Sequence, residues 1–382
     1  MNLRKLHYIL FATFAALSVI SCKDDEETTL PSLDGTLKFT GCETFISADF
    51  ESRTLTLKPS GAEHPDGKKL GYYWKVSPTM TTYDTTRFEN GLDKNGQPSD
   101  GTFKYTLKDS LGTYTIYCYA YAKDYAASSA SAYVTIVRGG VQASPDEPKV
   151  SITNNGIAEK CTHLEGTGYY YTTIGNYDWI ANNISENTGG AAFFGYEAMS
   201  DVFGRYYSYD EAKTVCANLP ANDGKAWRLP TDQDWVNLVK DITKDDVKGE
   251  FKAEVHSDIY WDIKTNGKPS LTSRLIANAY FNGVTMWDYW PAVGALENTS
   301  GMSIIPTGYT NLGETPELKS NYPGAIFYET YEYAAFWTAD EVEGEPEMAY
   351  YRYLYEKDPY LMIGKGWKKT FGASVRCVRE SY

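Results

Sequence analysis

Two short runs in this 382-residue chain set flat aromatic rings beside carboxylates: Tyr260-Trp261-Asp262 and Trp287-Asp288-Tyr289-Trp290. Asn266, Asn282, Asn298 and Asn311 lie near them in sequence. Sugars present apolar C–H faces and equatorial hydroxyls, so aromatic platforms flanked by Asp and Asn suit glycan capture. Core packing is the competing fate of any single ring, because Trp is highly buried on average. Of Trp261, Trp287 and Trp290, at least one is expected at the surface. Other chemistry is thinly provided. Beyond the first 21 residues the histidines are His64, His163 and His256, which have no metal-ligand spacing and read as ordinary surface or core residues. The sequence has no nucleophile elbow, no phosphate-cradling glycine loop and no zinc helix motif. Carboxylates are everywhere in so acidic a chain, and no glycosidase pair stands out among them. Asp93-Lys94-Asn95-Gly96 begins like a calcium loop but lacks the rest of the ligand series, and it reads as a hairpin turn. Neither a metal nor a cofactor is expected.

The N-terminus carries a different chemistry. Arg4 and Lys5 precede an almost uncharged apolar stretch from Tyr8 to Ile20, too short to span a bilayer as a helix and placed where a signal-peptide core belongs. It ends Val19-Ile20-Ser21-Cys22, which resembles the lipobox of bacterial lipoproteins and implies cleavage after residue 21 with a lipid on Cys22. Lys23-Asp24-Asp25-Glu26-Glu27 follows at once and resembles the surface-export signal of Bacteroidetes lipoproteins, so the outer face of the outer membrane is the expected location. Cleavage takes two of the 36 basic residues, Arg4 and Lys5, and none of the 50 acidic ones, so the net charge moves from −14 to −16. Such a surface repels phosphate backbones and is not drawn to anionic lipid, which argues against nucleic-acid partners and polybasic membrane binding.

The elements that must position these groups fall into two domains, as the length suggests. Residues 22–35 read as an acidic tether. Residues 36–138 read as a β-sandwich of short alternating strands at Thr54–Leu57, Gly71–Val76, Phe103–Leu107, Gly112–Tyr121 and Ala132–Val137. The run Gly112-Thr113-Tyr114-Thr115-Ile116-Tyr117-Cys118-Tyr119-Ala120 resembles the penultimate strand of Ig-like domains of the polycystic-kidney-disease type, with Trp74 as the core tryptophan. Residues 139–150 form a Gly/Pro-rich linker. In the second domain, residues 151–382, Ser208 and Glu211 make a capping box ahead of Ala212, Val215, Cys216 and Leu219. Thr231 caps a second helix with Trp235, Leu238, Val239 and Ile242 along one face. After residue 243 about ninety residues of Gly, Asn, Pro and aromatics follow, a stretch that must be functional or carry short strands of its own. The chain closes on strands Ala334–Thr338, Ala349–Tyr355 and Ala373–Arg379. Thirty-three tyrosines are too many to bury, so some rings face water.

A set of motifs in order resembles the Fibrobacter-type major paralogous domain, a branch of the C-type-lectin-like fold, over roughly residues 160–382. They are Tyr177-Asp178-Trp179-Ile180-Ala181-Asn182-Asn183, Gly204-Arg205-Tyr206-Tyr207-Ser208-Tyr209-Asp210-Glu211-Ala212, Trp227-Arg228-Leu229-Pro230-Thr231-Asp232-Gln233-Asp234-Trp235, Phe336-Trp337-Thr338-Ala339 and Ser374-Val375-Arg376-Cys377-Val378-Arg379. The spacer Ala217–Ala226 is longer than the family usually has. The resemblance implies a Cys216–Cys377 disulfide, and it implies that the long excursion bears the ligand. With Cys22 lipidated, Cys42, Cys118 and Cys161 remain; Cys42 with Cys118 is the next candidate pair, and sequence alone leaves their connectivity open. The Trp-Arg-Leu-Pro-Thr stretch also resembles formylglycine-generating enzymes, but their chemistry needs a reactive cysteine pair near the C-terminus, and Cys377 is the only cysteine after Cys216. Glu345-Pro346-Glu347 resembles the Glu-Pro-Asn tripeptide of calcium-dependent lectins but has glutamate in place of asparagine, and no Trp-Asn-Asp precedes the final strand.

The expectation is therefore a mainly β protein, an Ig-like β-sandwich followed by an α+β C-type-lectin-like domain, anchored by lipid and exposed at the cell surface. Its expected task is non-catalytic glycan capture between Ser257 and Gly324, with Trp261, Asp262, Trp287, Asp288, Tyr289 and Trp290 as ligand residues. The alternatives are an adhesin or fimbria-associated subunit that binds a host or bacterial surface protein, and a structural envelope protein.

Overall fold

The computed structural model describes residues 29–42, 45–47, 54–77, 81–84, 91–92, 96–107, 112–137, 161–221, 224–243, 251–261, 271–281, 284–287, 296–313, 326–356 and 358–381. Apolar residues at every second position make the first part a β-sandwich, as the alternation predicts. Its strands are β1 (Asp34–Thr40), β2 (Phe45–Ser47), β3 (Thr54–Glu63), β4 (Gly71–Ser77), β5 (Thr81–Asp84), β6 (Phe103–Thr106), β7 (Gly112–Tyr121) and β8 (Ser128–Val137). They form a three-stranded sheet, β1-β3-β6, and a five-stranded sheet, β2-β8-β7-β4-β5, with all pairs antiparallel except β2 with β8. Leu37, Leu55, Leu57 and Phe103 from the first sheet share one core with Trp74, Val76, Ile116, Cys118 and Val134 from the second. Trp74 is the centre of that core. Its Nε1 donates to the Gly101 carbonyl at 3.0 Å, and the Phe39 and Phe103 rings pack 5.2 Å and 5.7 Å away. Gly101 has φ +83°, and a Cβ there would meet the Tyr72 ring at 2.4 Å, so only glycine brings this carbonyl to the indole.

The expected pairing of Cys42 with Cys118 is corrected here. Cys118 is buried on β7, Cys42 is half-buried just beyond β1, and both keep their thiols. Cys161 is also a thiol, its Sγ donating to the Gly301 carbonyl at 3.6 Å.

The second part is mixed. Its elements are β9 (Cys161–His163), β10 (Tyr170–Ile174), β11 (Tyr177–Ile180), α1 (Ser200–Phe203), α2 (Tyr209–Ala217), α3 (Asp232–Thr243), β12 (Phe251–Lys252), β13 (Tyr260–Trp261), α4 (Leu271–Leu275), β14 (Tyr280–Phe281), β15 (Val284–Thr285), β16 (Tyr309–Asn311), β17 (Ile326–Tyr328), β18 (Tyr333–Val342), β19 (Glu345–Tyr355), β20 (Asp358–Trp367), β21 (Phe371–Gly372) and β22 (Val378–Glu380). Among the described residues the chain is mainly β, with twenty-two strands against four α-helices. The larger sheets here are the four-stranded β22-β11-β10-β9 and the three-stranded β18-β19-β20 and β17-β16-β21.

Both helix starts follow the sequence. Ser208 and Glu211 close the capping box of α2. At α3 the Thr231 amide and hydroxyl donate to Asp234, while the Asp234 amide donates to the Thr231 hydroxyl. The α2 stripe puts Cys216 on the buried side, where it is bridged to Cys377 across 5.4 Å between Cα atoms. Closing a loop of 161 residues stabilises by about 5 kcal/mol on the chain-entropy estimate. The long excursion carries short strands and α4, and its Leu271, Leu275, Ile276, Met302 and Ile304 join the core with Trp179, Trp235 and Phe336. Strand β20 was not foreseen. Its glycines, Gly364 and Gly366, weaken the strand signal in the sequence. They are there because the rings of Tyr351, and of Phe371 and Trp337, lie where their Cβ atoms would stand.

Candidate functional site

Strand β19 alternates between two faces of its sheet, and the register with β20 decides what shares each face. Met348 lies opposite Trp367, Tyr350 opposite Lys365 and Arg352 opposite Ile363. Along this row the environment changes from core to solvent. Arg352 is fully buried, Tyr350 is half-buried, and Trp367 is 58 % exposed, the most exposed large hydrophobic side chain among the described residues.

The buried end is an ion pair. Arg352 Nε and Nη2 donate to the two carboxylate oxygens of Asp232 at 2.5 Å and 2.7 Å, and Nη1 donates to the Ser257 carbonyl at 2.7 Å. A bidentate pair of this kind fixes geometry more than it stabilises, since desolvation offsets most of the attraction. What it fixes is a surface dyad. The Asp232 carboxylate accepts the His256 amide at 2.6 Å, and the Asp232 amide donates to Asp340 Oδ2 at 2.6 Å. His256 is thereby held at φ +55°, a left-handed conformation that costs a non-glycine residue about 1–2 kcal/mol. Its imidazole lies parallel on the Tyr350 ring at 4.1 Å and 13°, with Nε2 at 3.5 Å from Asp340 Oδ2. Both side chains reach solvent. The strand end beside Trp367 is closed by Lys365 Nζ donating to Glu345 at 2.6 Å and by Lys368 Nζ donating to the Pro346 carbonyl at 2.6 Å. Glu345 and Pro346 thus tie strands together. Among the described residues no group of three or more His, Cys, Asp and Glu side chains could hold a metal ion.

The helix that supplies Asp232 is itself pinned at the same end. Arg228 donates to both oxygens of Asp234 at 2.6 Å and 3.0 Å. Burial alone would raise the Asp234 pKa, but the bonds from Arg228 and Thr231 outweigh it and hold the carboxyl below the ordinary aspartate value.

Chemically, the row offers an exposed indole, an imidazole backed by a phenol, and a carboxylate acceptor at the imidazole edge. Flat rings take the apolar C–H face of a pyranose while a carboxylate takes its hydroxyls.

Trp287 is corrected: it is 2 % exposed, lies in the core, and donates its Nε1 to the Ile304 carbonyl at 3.1 Å. It became a core ring because Met286 and Trp287 follow the β14–β15 hairpin inward, where the indole N–H finds a backbone acceptor. Trp261 falls on β13, opposite Phe251. Asp262, Asp288, Tyr289, Trp290 and Cys22 lie outside the described residues. His256, read from the sequence as an ordinary surface or core histidine, is a partly exposed residue stacked on Tyr350. Its signal was its place before Ser257 and Asp258 in the excursion, yet nothing in spacing ties it to Asp340. Trp367 carries no signal of its exposure in the sequence.

The opposite face of the same sheet carries a second aromatic group. Tyr333 stacks on Tyr353 at 4.7 Å, Tyr351 on Phe371 at 4.4 Å and Tyr309 on Tyr328 at 5.3 Å. Burial, with neighbouring phenols adding to it, raises the Tyr333 pKa well above that of a free tyrosine.

The Fibrobacter succinogenes major domain matches residues 172–379, more than half of the chain. No curated protein matches the chain significantly.

Proposed function

From the premise that this chain belongs to the Fibrobacter succinogenes major domain family, a surface-associated family of paralogous domains, we propose that it is a lipid-anchored cell-surface protein whose C-terminal domain captures glycans without catalysis. The observation that carries the reading is the Tyr350–His256 stack with Asp340 at its edge, held by the buried Arg352–Asp232 pair, and the exposed Trp367, which lies opposite Met348 on the same face of the sheet. Two costly features, a buried ion pair and a left-handed histidine, are spent on orienting two solvent-facing side chains. Such strain is commonest where a ligand is held. Aromatic platforms beside a carboxylate acceptor fit a sugar ring better than they fit an anion or a hydrophobic ligand.

The lipobox-like Val19-Ile20-Ser21-Cys22 run supports the anchored part of this reading. The test is a glycan-array screen of residues 22–382 carrying Cys22→Ser, run beside the same protein with Trp367→Ala. Selective signals that the substitution abolishes bear the proposal out. Signals that survive Trp367→Ala place the ligand elsewhere.

Protein capture, as in an adhesin or fimbria-associated subunit, is the second reading, and the stacked Tyr309, Tyr328, Tyr333 and Tyr353 group favours it. Tyrosine clusters of this kind are enriched at protein interfaces. An array with no glycan signal, together with a partner whose binding is lost in Tyr353→Ala, would replace the first reading with this one.

A further inference from the structure

The outward face of the five-stranded sheet in the N-terminal sandwich is a second aromatic surface, and its chemistry differs from that of the site above. The residues of β4 and β7 that alternate with the core are Tyr73, Lys75, Tyr117, Tyr119 and Tyr121, all half-buried. Tyr133 of β8 is 49 % exposed on the same face. Register sets Tyr73 opposite Tyr119, Lys75 opposite Tyr117, and the exposed Ser129 and Ser131 opposite Tyr119 and Tyr117.

The rings stand on edge. Tyr73 and Tyr119 are parallel within 5° at 4.5 Å, and Tyr117 continues the row at 6.5 Å and 25°. Each ring covers its neighbour's face, so little ring face is left for a sugar to stack on. What points outward is ring edge and phenol hydroxyl. Ring edges carry the positive part of the aromatic quadrupole, and the hydroxyls are donors. Lys75 adds a full charge, its Nζ resting 5.5 Å from the Tyr119 centroid and 5.9 Å from the Tyr73 centroid. Burial followed by the neighbouring Tyr119 phenol raises the pKa of Tyr73, which keeps it a donor at neutral pH. The row is rich in donors and Lys75 gives it a full positive charge, while β5 sets Asp84 opposite Tyr73 at its edge. From Tyr117 to Tyr121 it runs about 13 Å along the strand, enough for an oligomer.

We infer that this face is a second carbohydrate site, specific for acidic glycans: the carboxylate of a uronic acid pairs with Lys75, and the flanking hydroxyls accept from the tyrosines and Ser129. The inference does not depend on the site at Trp367. The first binds neutral ring faces, the second binds charge.

The test is isothermal titration of residues 22–382 carrying Cys22→Ser with trigalacturonate, a neutral trisaccharide and a sulfated trisaccharide. Trigalacturonate is expected to bind, and to weaken as salt rises. Lys75→Ala and Tyr119→Phe should each weaken it at least fivefold, while Lys75→Arg retains it and Trp367→Ala leaves it unchanged. Tyr119→Phe keeps the ring and removes only the hydroxyl, so its effect does not reflect loss of the sheet. Equal binding of the neutral or the sulfated sugar would overturn the assignment, as would binding indifferent to Lys75→Ala. Loss of trigalacturonate binding in Trp367→Ala would overturn it too, by moving the acidic ligand to the other domain.

Discussion

Replacing Arg352 with leucine removes two of the three donors, and the only charge, facing a carboxylate that has no access to water and would keep just the His256 amide. The Asp232 charge is then buried and uncompensated, and breaking a pair of this kind costs about 3–5 kcal/mol. For a domain of this size each kcal/mol moves the melting temperature by about 2–4 °C. Arg352→Leu should therefore lower it by roughly 6–20 °C. Asp232→Asn strands the guanidinium instead, and its cost should fall in the same range. The double variant is the informative one. With both charges gone the desolvation penalty goes too, so Asp232→Asn/Arg352→Leu should be destabilised by at least about 2 kcal/mol less than the sum of the single changes. Urea unfolding of the four proteins measures this cycle directly. Costs that add within about 0.5 kcal/mol would refute the claim that the two side chains act as one unit. A small single-variant cost, under about 1 kcal/mol, would refute their burial.

Four further outcomes are expected. Cys216→Ser/Cys377→Ser should lose about 5 kcal/mol of stability, read as a fall in the urea midpoint, and an unchanged midpoint would mean that the 161-residue loop is already constrained in the unfolded chain. Cys22→Ala should abolish membrane association, and fractionation that still finds the protein tightly bound would contradict the lipid anchor. Glu211 and Asp234 ionise at lower pH in the folded chain than in the unfolded one. Their contribution is therefore full above about pH 5 and is lost as the pH falls below about 4; melting temperatures should be level from pH 7 to 5 and then decline, less steeply in Glu211→Gln. His256→Gly relieves the left-handed backbone and removes the imidazole, so glycan affinity should fall while stability holds or rises slightly, as heat denaturation would record.

The parts of this fold that local chemistry determines were legible in the sequence. Ser208 with Glu211 and Thr231 with Asp234 mark helix starts because side chains three residues apart satisfy the same few amides. Alternation around Trp74 and Ile116 marks the sandwich because a half-buried sheet has only two faces. The Cys216–Cys377 bridge came through resemblance, since nothing local joins residues 161 apart. The candidate site was the hardest part. His256, Asp340, Tyr350 and Trp367 come from four separate segments; the first three meet through the hydrogen bonds of Asp232, and Trp367 shares their face only through strand register. Trp287 misled for a related reason: an aromatic run beside aspartate looks the same whether the ring ends against the Ile304 carbonyl or in water. Counting tyrosines predicted exposed rings but not which ones. The pairing of the alternate residues Met348, Tyr350 and Arg352 with Trp367, Lys365 and Ile363, in that order, becomes readable only once β20 is known.

The central claim is that a sugar ring is held between Trp367 and the His256–Asp340 pair. The direct measurement is isothermal titration of the glycan identified on the array with residues 22–382 carrying Cys22→Ser, with and without Trp367→Ala and Asp340→Asn. By analogy with bases stacked on aromatic rings, Trp367→Ala should cost about 1–3 kcal/mol, roughly 5- to 150-fold in affinity. Asp340→Asn should weaken binding as well, and the melting temperature of Trp367→Ala should stay within about 1–2 °C of the parent because the ring is already exposed. Affinities within twofold of the parent in both variants, each folded, would contradict the account.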